Sequence, residues 1–177
     1  MNETERSGVT SDDQVCSFSL AVDAMGGDGG PEMVVAGLAK AADRHPGARI
    51  LLVGDERRLK SLLEKHPKAA AICTVRHAPS SISMDMKPTT ALRVRDSSMR
   101  LVMNAVSEGE AAGVVSAGNS GAMLALAKIV IKTLPGISRP AMAAISPSMK
   151  GDVGMLDLGA NGGCRLLSQS CASRALT

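Results

Sequence analysis

The residues best suited to chemistry lie in small-residue turns. Val22-Asp23-Ala24-Met25-Gly26-Gly27-Asp28-Gly29-Gly30-Pro31-Glu32 carries an apolar segment into glycines and then into a helix start. Glycine backbones bend with positive φ and bring bare N–H groups to a ligand, Pro31 suits the first helical position, and Glu32 suits the first turn. Unpaired N–H groups at such a start favour phosphate or carboxylate, whereas the plain alternative is a tight turn that binds nothing. A second turn, Ser116-Ala117-Gly118-Asn119-Ser120-Gly121, precedes an apolar helix. Asn119 and Ser120 suit capping that helix or hydrogen-bonding a ligand equally well. A third turn, Gly159-Ala160-Asn161-Gly162-Gly163, follows Asp157.

Each turn needs a strand to place it. Apolar runs predict strands over 18–22, 48–53, 71–75 and 112–115, with 141–145 and 153–157 as further candidates. Between them, helical spacing predicts helices over 31–44, over 56–65 behind an Asp55 cap, from an Asp96 or Ser97 cap to 107, and over 122–131. Strand alternating with helix implies an α/β protein with a parallel sheet, whose strand ends share the edge where such proteins bind ligands. Three small-residue turns on that edge point to an anion. Met99, Val102, Met103 and Val106 form a stripe better suited to packing than to a metal or cofactor. Arg44-His45-Pro46 and Lys65-His66-Pro67 read as helix stops. His77 carries no better catalytic claim. G-x-G-x-x-G, the P-loop pattern and G-x-S-x-G are all absent, which disfavours an ordinary dinucleotide fold, a P-loop enzyme and a serine hydrolase.

Composition narrows the classes further. A chain of 177 residues suits one domain, here 17–161 behind a polar tail over 1–16 that is expected to be disordered. One Phe and no Tyr or Trp leave a core of Ala, Val, Leu, Ile and eleven Met, and remove the stacking platforms of single-stranded nucleic-acid binders. With a net charge of only +3, nucleic acid is not expected as a partner. Cys16, Cys73, Cys164 and Cys171 form no paired C-x-x-C, and His45, His66 and His77 complete no zinc spacing, so reduced thiols and no metal are expected. No signal peptide is visible. The apolar segment 122–134 holds Lys128 and Lys132 and falls short of the roughly 20 residues that span a bilayer, which predicts a soluble protein and leaves membrane-surface contact open.

Several motifs in order resemble the bacterial phosphate acyltransferases of phospholipid synthesis. They are Val22-Asp23-Ala24-Met25-Gly26-Gly27-Asp28, Asp85-x-x-Pro88-x-x-Ala91-x-Arg93, Ser97-Ser98-Met99, Ser116-Ala117-Gly118-Asn119-Ser120-Gly121, Arg139-Pro140-Ala141 and Leu156-Asp157-Leu158-Gly159-Ala160-Asn161. Ser120 stands where the family usually has threonine, which keeps the hydroxyl. The resemblance implies a three-layer α/β fold with a mainly parallel sheet, similar to isocitrate and isopropylmalate dehydrogenases. It implies transfer of a fatty acyl group from acyl-acyl-carrier protein to inorganic phosphate, without a cofactor, in a cytoplasmic homodimer with peripheral membrane contact. A membrane glycerol-3-phosphate acyltransferase would consume the acyl phosphate.

In that reading Ser116, Asn119 and Ser120 are the catalytic candidates, donating hydrogen bonds to phosphate or the thioester oxygen. N–H groups of Gly26, Gly27, Gly118 and Gly121 hold phosphate, and Arg93 or Arg139 balances charge. Asp23 and Asp28 orient loop N–H groups, while Ser97, Ser98, Asp157 and Asn161 complete the substrate-binding set. Lys87, Arg95, Arg100, Lys128 and Lys132 suit an acidic carrier protein or lipid headgroups, or simply a solvated face. Two alternatives are an inactive fragment that binds phosphate, carrier protein or an intact subunit, and a phosphotransacetylase-like enzyme using coenzyme A, which the motifs disfavour.

The motif resemblance stops at Gly162, and 162–177 reads as an aberrant tail that leaves the fold incomplete at its C-terminus. The expected origin is a frameshift or premature stop. Reading the coding DNA past Asn161 in the other two frames should recover a family-like continuation; its absence from both frames would discard that origin.

Overall fold

The computed structural model describes residues 19–137, 140–149 and 151–156. The elements are β1 (Ser19–Asp23), α1 (Gly30–Arg44), β2 (Arg49–Gly54), α2 (Glu56–Glu64), α3 (Pro67–Ile72), β3 (Cys73–His77), α4 (Pro88–Ala91), α5 (Ser98–Ser107), β4 (Gly113–Val115), α6 (Ser120–Val130), β5 (Ala143–Ser148) and β6 (Gly151–Leu156). β1 to β4 form a parallel four-stranded sheet in the order β3-β2-β1-β4. The continuous apolar run Ile50-Leu51-Leu52-Val53 is what a strand covered on both faces requires. Ile50 and Leu52 pack with Val35 and Leu38 of α1 and Leu59 and Leu63 of α2. Leu51 and Val53 turn the other way, towards Val102 and Ala105 of α5. The result is three layers, as the α/β reading anticipates.

Local chemistry sets the helix boundaries. Pro31 begins the first turn of α1 and His45 ends the helix, its N–H donating to the Ala41 carbonyl. The Asp55 side chain accepts from the N–H groups of Arg57 and Arg58, and Ser97 accepts from Arg100. Of the two cap candidates for α5, Ser97 therefore serves, while Asp96 accepts the Ser80 hydroxyl at 2.9 Å. The Met stripe is core: Met99 and Met103 are buried with Ile82, Ala122 and Leu126 of the loop and α6. No helix among the described residues is long and apolar enough to cross a membrane.

Two expectations change. The strand expected over 71–75 begins at Cys73, because Pro67 starts a further short helix, α3, and does not merely stop α2. Pro suits a first helical position as well as a helix end, so His66-Pro67 is a junction of two helices. The candidates over 141–145 and 153–157 do not join the parallel sheet; β5 and β6 pair antiparallel in a two-stranded sheet of their own. Only positions 149 and 150 separate them, and a parallel pairing needs a crossover of roughly a dozen residues. The third glycine turn, the tail 1–16 and the tail 162–177 lie outside the described residues.

Half-burial at the start of β3 pushes the Cys73 thiol up to about 11. Because the folded value is raised, this residue favours the fold below the unfolded thiol range and loses that contribution as pH rises from about 9 towards 11. Alkylation of Cys73 by iodoacetamide at neutral to mildly basic pH should run at least about tenfold slower in folded than in urea-unfolded protein, read by peptide mass spectrometry.

Candidate functional site

The strand order places a crevice between β1 and β4. From β1 the chain moves outward to β2 and β3, then returns through α5 to β4 on the opposite side of β1. The connections leaving β1 and β4 consequently diverge at the carboxyl edge, and open α/β sheets bind ligands at such a switch point. Val22 and Val115 are register partners. The Asp23–Gly30 and Ser116–Ser120 turns therefore emerge side by side.

Asp23, only 2% exposed, ties these turns together. Its Oδ1 accepts the Met25 N–H at 3.0 Å, which bends its own loop, and its Oδ2 accepts the Ser116 hydroxyl at 2.8 Å. The Ser116 oxygen in turn accepts the Gly118 N–H at 3.1 Å. One carboxyl group thus orders both turns. The turns also touch through their backbones: a Cβ added to Gly26 would lie 2.7 Å from the Gly118 nitrogen and 2.9 Å from Ser116 Oγ. Gly27 has φ +84°, and a Cβ there would press on the Ala117 carbonyl at 3.0 Å. The glycines serve close approach as well as curvature. Among the described residues no acceptor meets the N–H of Gly26 or Gly27.

The third wall comes from α5 and the loop before it. A Cβ on Gly118 would lie 2.8 Å from Met99 Cε, so the first turn of α5 supports the Ser116 loop from below. Ser97 and Ser98 are buried in that turn; Ser97 caps it, while the Ser98 hydroxyl has no hydrogen-bond partner among the described residues. Asn119 ties the preceding loop to α6. Its Nδ2 reaches the carbonyls of Ser83, Met84 and Met86 at 3.3, 2.9 and 2.9 Å, and its Oδ1 accepts the Ala122 N–H at 3.0 Å. A Ser83 hydrogen bond lowers the pKa of exposed Asp85 in the same loop. No group of three or more His, Cys, Asp or Glu able to hold a metal converges among the described residues.

The chain matches, over residues 18–168, a family model described as fatty acid synthesis protein. It belongs to that family. It is 79% identical over 147 residues to the phosphate acyltransferase of Gluconacetobacter diazotrophicus, covering 83% of this chain and 39% of the relative. The phosphate acyltransferases of Gluconobacter oxydans and Granulibacter bethesdensis are 70% and 67% identical over 83% and 82% of this chain, and 40% and 39% of their own lengths. The chain thus spans about two fifths of these relatives. The family match runs to residue 168, past the Gly162 at which the motif resemblance stops.

Of the family motif residues, the structure brings together Asp23, Gly26, Gly27, Ser116 and Gly118, with Ser97 and Ser98 behind them through Met99. Asp28 and Ser120 are exposed at the turns, and Gly121 lies against Pro88, where a Cβ would sit 3.1 Å from the ring. Arg93 is exposed on the loop beyond α4, without a hydrogen bond to the turns, and Arg139, Asp157 and Asn161 lie outside the described residues. Among the basic candidates, Arg100 donates to the Leu92 carbonyl at 3.2 Å, whereas Lys87, Arg95, Lys128 and Lys132 are exposed. His77 Nδ1 accepts the Glu56 N–H at 3.4 Å and so serves the start of α2. One feature had no sequence signal: an apolar groove of about 440 Å³ beside Asp23 and Ser116, lined by Leu20, Val22, Val34, Leu38 and Val115. Those residues read locally as ordinary core.

The loop contact can be tested by stability alone. Gly26→Ala should destabilise the chain by about 1–3 kcal/mol, since its methyl meets the Gly118 backbone nitrogen at 2.7 Å and the hydrogen-bonded Ser116 Oγ at 2.9 Å. Gly37→Ala in α1, where an added Cβ meets nothing within 4 Å, should stabilise it by about 0.5–1 kcal/mol. Urea unfolding of both variants reads the pair, and equal effects would remove the loop-contact explanation.

Proposed function

We propose that this chain carries the phosphate-handling part of an acyl transfer in fatty-acid and phospholipid synthesis. A fatty acyl group moves from acyl-acyl-carrier protein to inorganic phosphate and yields acyl phosphate. The observation that supports this best is the pairing of two glycine turns at the switch point, in a chain 79% identical to a phosphate acyltransferase. In the reaction a phosphate oxygen bonds to the thioester carbonyl carbon, the carbon–sulfur bond breaks, and the carrier thiolate leaves to take a proton from solvent. Phosphate is itself the nucleophile, so the protein has to position and desolvate it. The N–H groups of Gly26 and Gly27 and the start of α6 at Ser120 and Gly121 suit that task.

The serines and acids then divide their roles. The Ser116 proton is directed to Asp23, so both act as positioning residues that shape the two turns. Asn119 positions α6 against the loop at 83–86. Arg93 and Arg139 balance phosphate charge, and Lys87, Arg95, Lys128 and Lys132 face an acidic carrier protein or lipid headgroups. A cytoplasmic homodimer with peripheral membrane contact, feeding a membrane glycerol-3-phosphate acyltransferase, completes the reading. Because the chain covers 39% of that relative, a second reading is a fragment that binds phosphate, carrier protein or an intact subunit without turnover.

Incubating the folded chain with palmitoyl-carrier protein, with and without phosphate, should show phosphate-dependent loss of thioester. Titration calorimetry with inorganic phosphate separates the alternatives. Binding without turnover selects the fragment reading, and neither binding nor turnover overturns the assignment of the turns as a phosphate site.

A further inference from the structure

The two faces of the sheet are covered unequally at β4. Towards α5 and α6, Val114 packs among buried side chains of both helices. Towards α1, its neighbour Val115 is 50% exposed, and the apolar groove runs along this bare strip between α1 and the β1–β4 pair. Beyond β4, no further strand pairs with its outer edge among the described residues. A three-layer α/β sheet requires a covering element at this position.

The facing side of α1 is also cut back. Gly37 lines the groove in the middle of a fifteen-residue helix, yet an added Cβ would meet nothing within 4 Å. Interior glycine disfavours a helix relative to alanine, and none of the described residues uses the space it leaves. Such a gap suits a second helix approaching to about 8–10 Å. Val34, Leu38 and Ala41 supply the apolar contacts around it.

We infer that the groove between α1 and β4 is the docking surface for a helix from the C-terminal part of a family chain. About three fifths of the relatives' length lies outside the matched portion, and the exposed strip of β4 and the open side of α1 form one continuous receiving surface. The inference rests on family membership and on this face of the sheet, and it holds whether or not the chain turns over substrate.

The full chain, tagged, would be co-expressed with the untagged remainder of the Gluconacetobacter diazotrophicus relative, from the end of the match onward. A stoichiometric complex is expected. Gly37→Met, whose Cβ meets none of the described residues within 4 Å and whose side chain extends at the groove, should reduce recovery at least tenfold while leaving the chain's own thermal midpoint unchanged or higher. Val115→Asp, at an exposed position, should do the same. No complex with the native chain, or equal recovery with both variants, overturns the inference. So does self-association of the chain alone that Gly37→Met abolishes, or stoichiometric binding of palmitate that Gly37→Met abolishes, since each gives the groove a different occupant.

Discussion

The hydrogen bond between Asp23 and Ser116 links positions 93 residues apart at the point where the sheet reverses its strand order. It is short, largely screened from water by the burial of Asp23, and flanked by the backbone contact of Gly26 with Gly118. A buried polar group left without partners destabilises the fold, so the pair holds both turns in one arrangement. That arrangement determines which N–H groups face the crevice. The same bond directs the Ser116 proton to Asp23.

Around this link the core is built for close approach. Ala21, Ala24, Ala69, Ala91, Ala105 and Ala122 are fully buried, and Met99 fills the space beneath Gly118 with a flexible thioether. Small side chains let turns and helices meet at backbone distance, and methionine absorbs the irregular gaps that remain. The scarcity of aromatics in the composition thus has a structural counterpart. It also explains why glycine suits position 26 for packing, where an added Cβ would meet the Gly118 backbone nitrogen at 2.7 Å, apart from any ligand.

Much of this was legible locally. Apolar runs and caps located β1, α1, β2, α2, α5, β4 and α6, because each depends on neighbours within a few residues. The antiparallel pairing of β5 and β6 was not read, because strand propensity alone suggested the parallel sheet and the two-residue connection that forbids a crossover emerges only from the strands' actual bounds. His66-Pro67 was ambiguous, since one proline can end a helix or begin the next. For the site, the glycine turns were visible as motifs, but the hydrogen-bond partners of Ser116 and Asn119 were not. A hydroxyl or amide that binds substrate and one that braces a loop look identical until their partners are known.

The sequence by itself determined the alternation of strands and helices, the absence of aromatic stacking surfaces, the two turns Asp23–Gly30 and Ser116–Ser120, and the family, because these rest on local pattern and on the order of motifs. The tertiary structure decided that the Ser116 hydroxyl turns to Asp23, that the Asn119 amide reaches back to the carbonyls of Ser83, Met84 and Met86, that β6 leaves the parallel sheet, and that one face of β4 stays open beside Gly37. Each of these depends on which distant segment lies alongside, and that follows from packing the whole chain around the sheet.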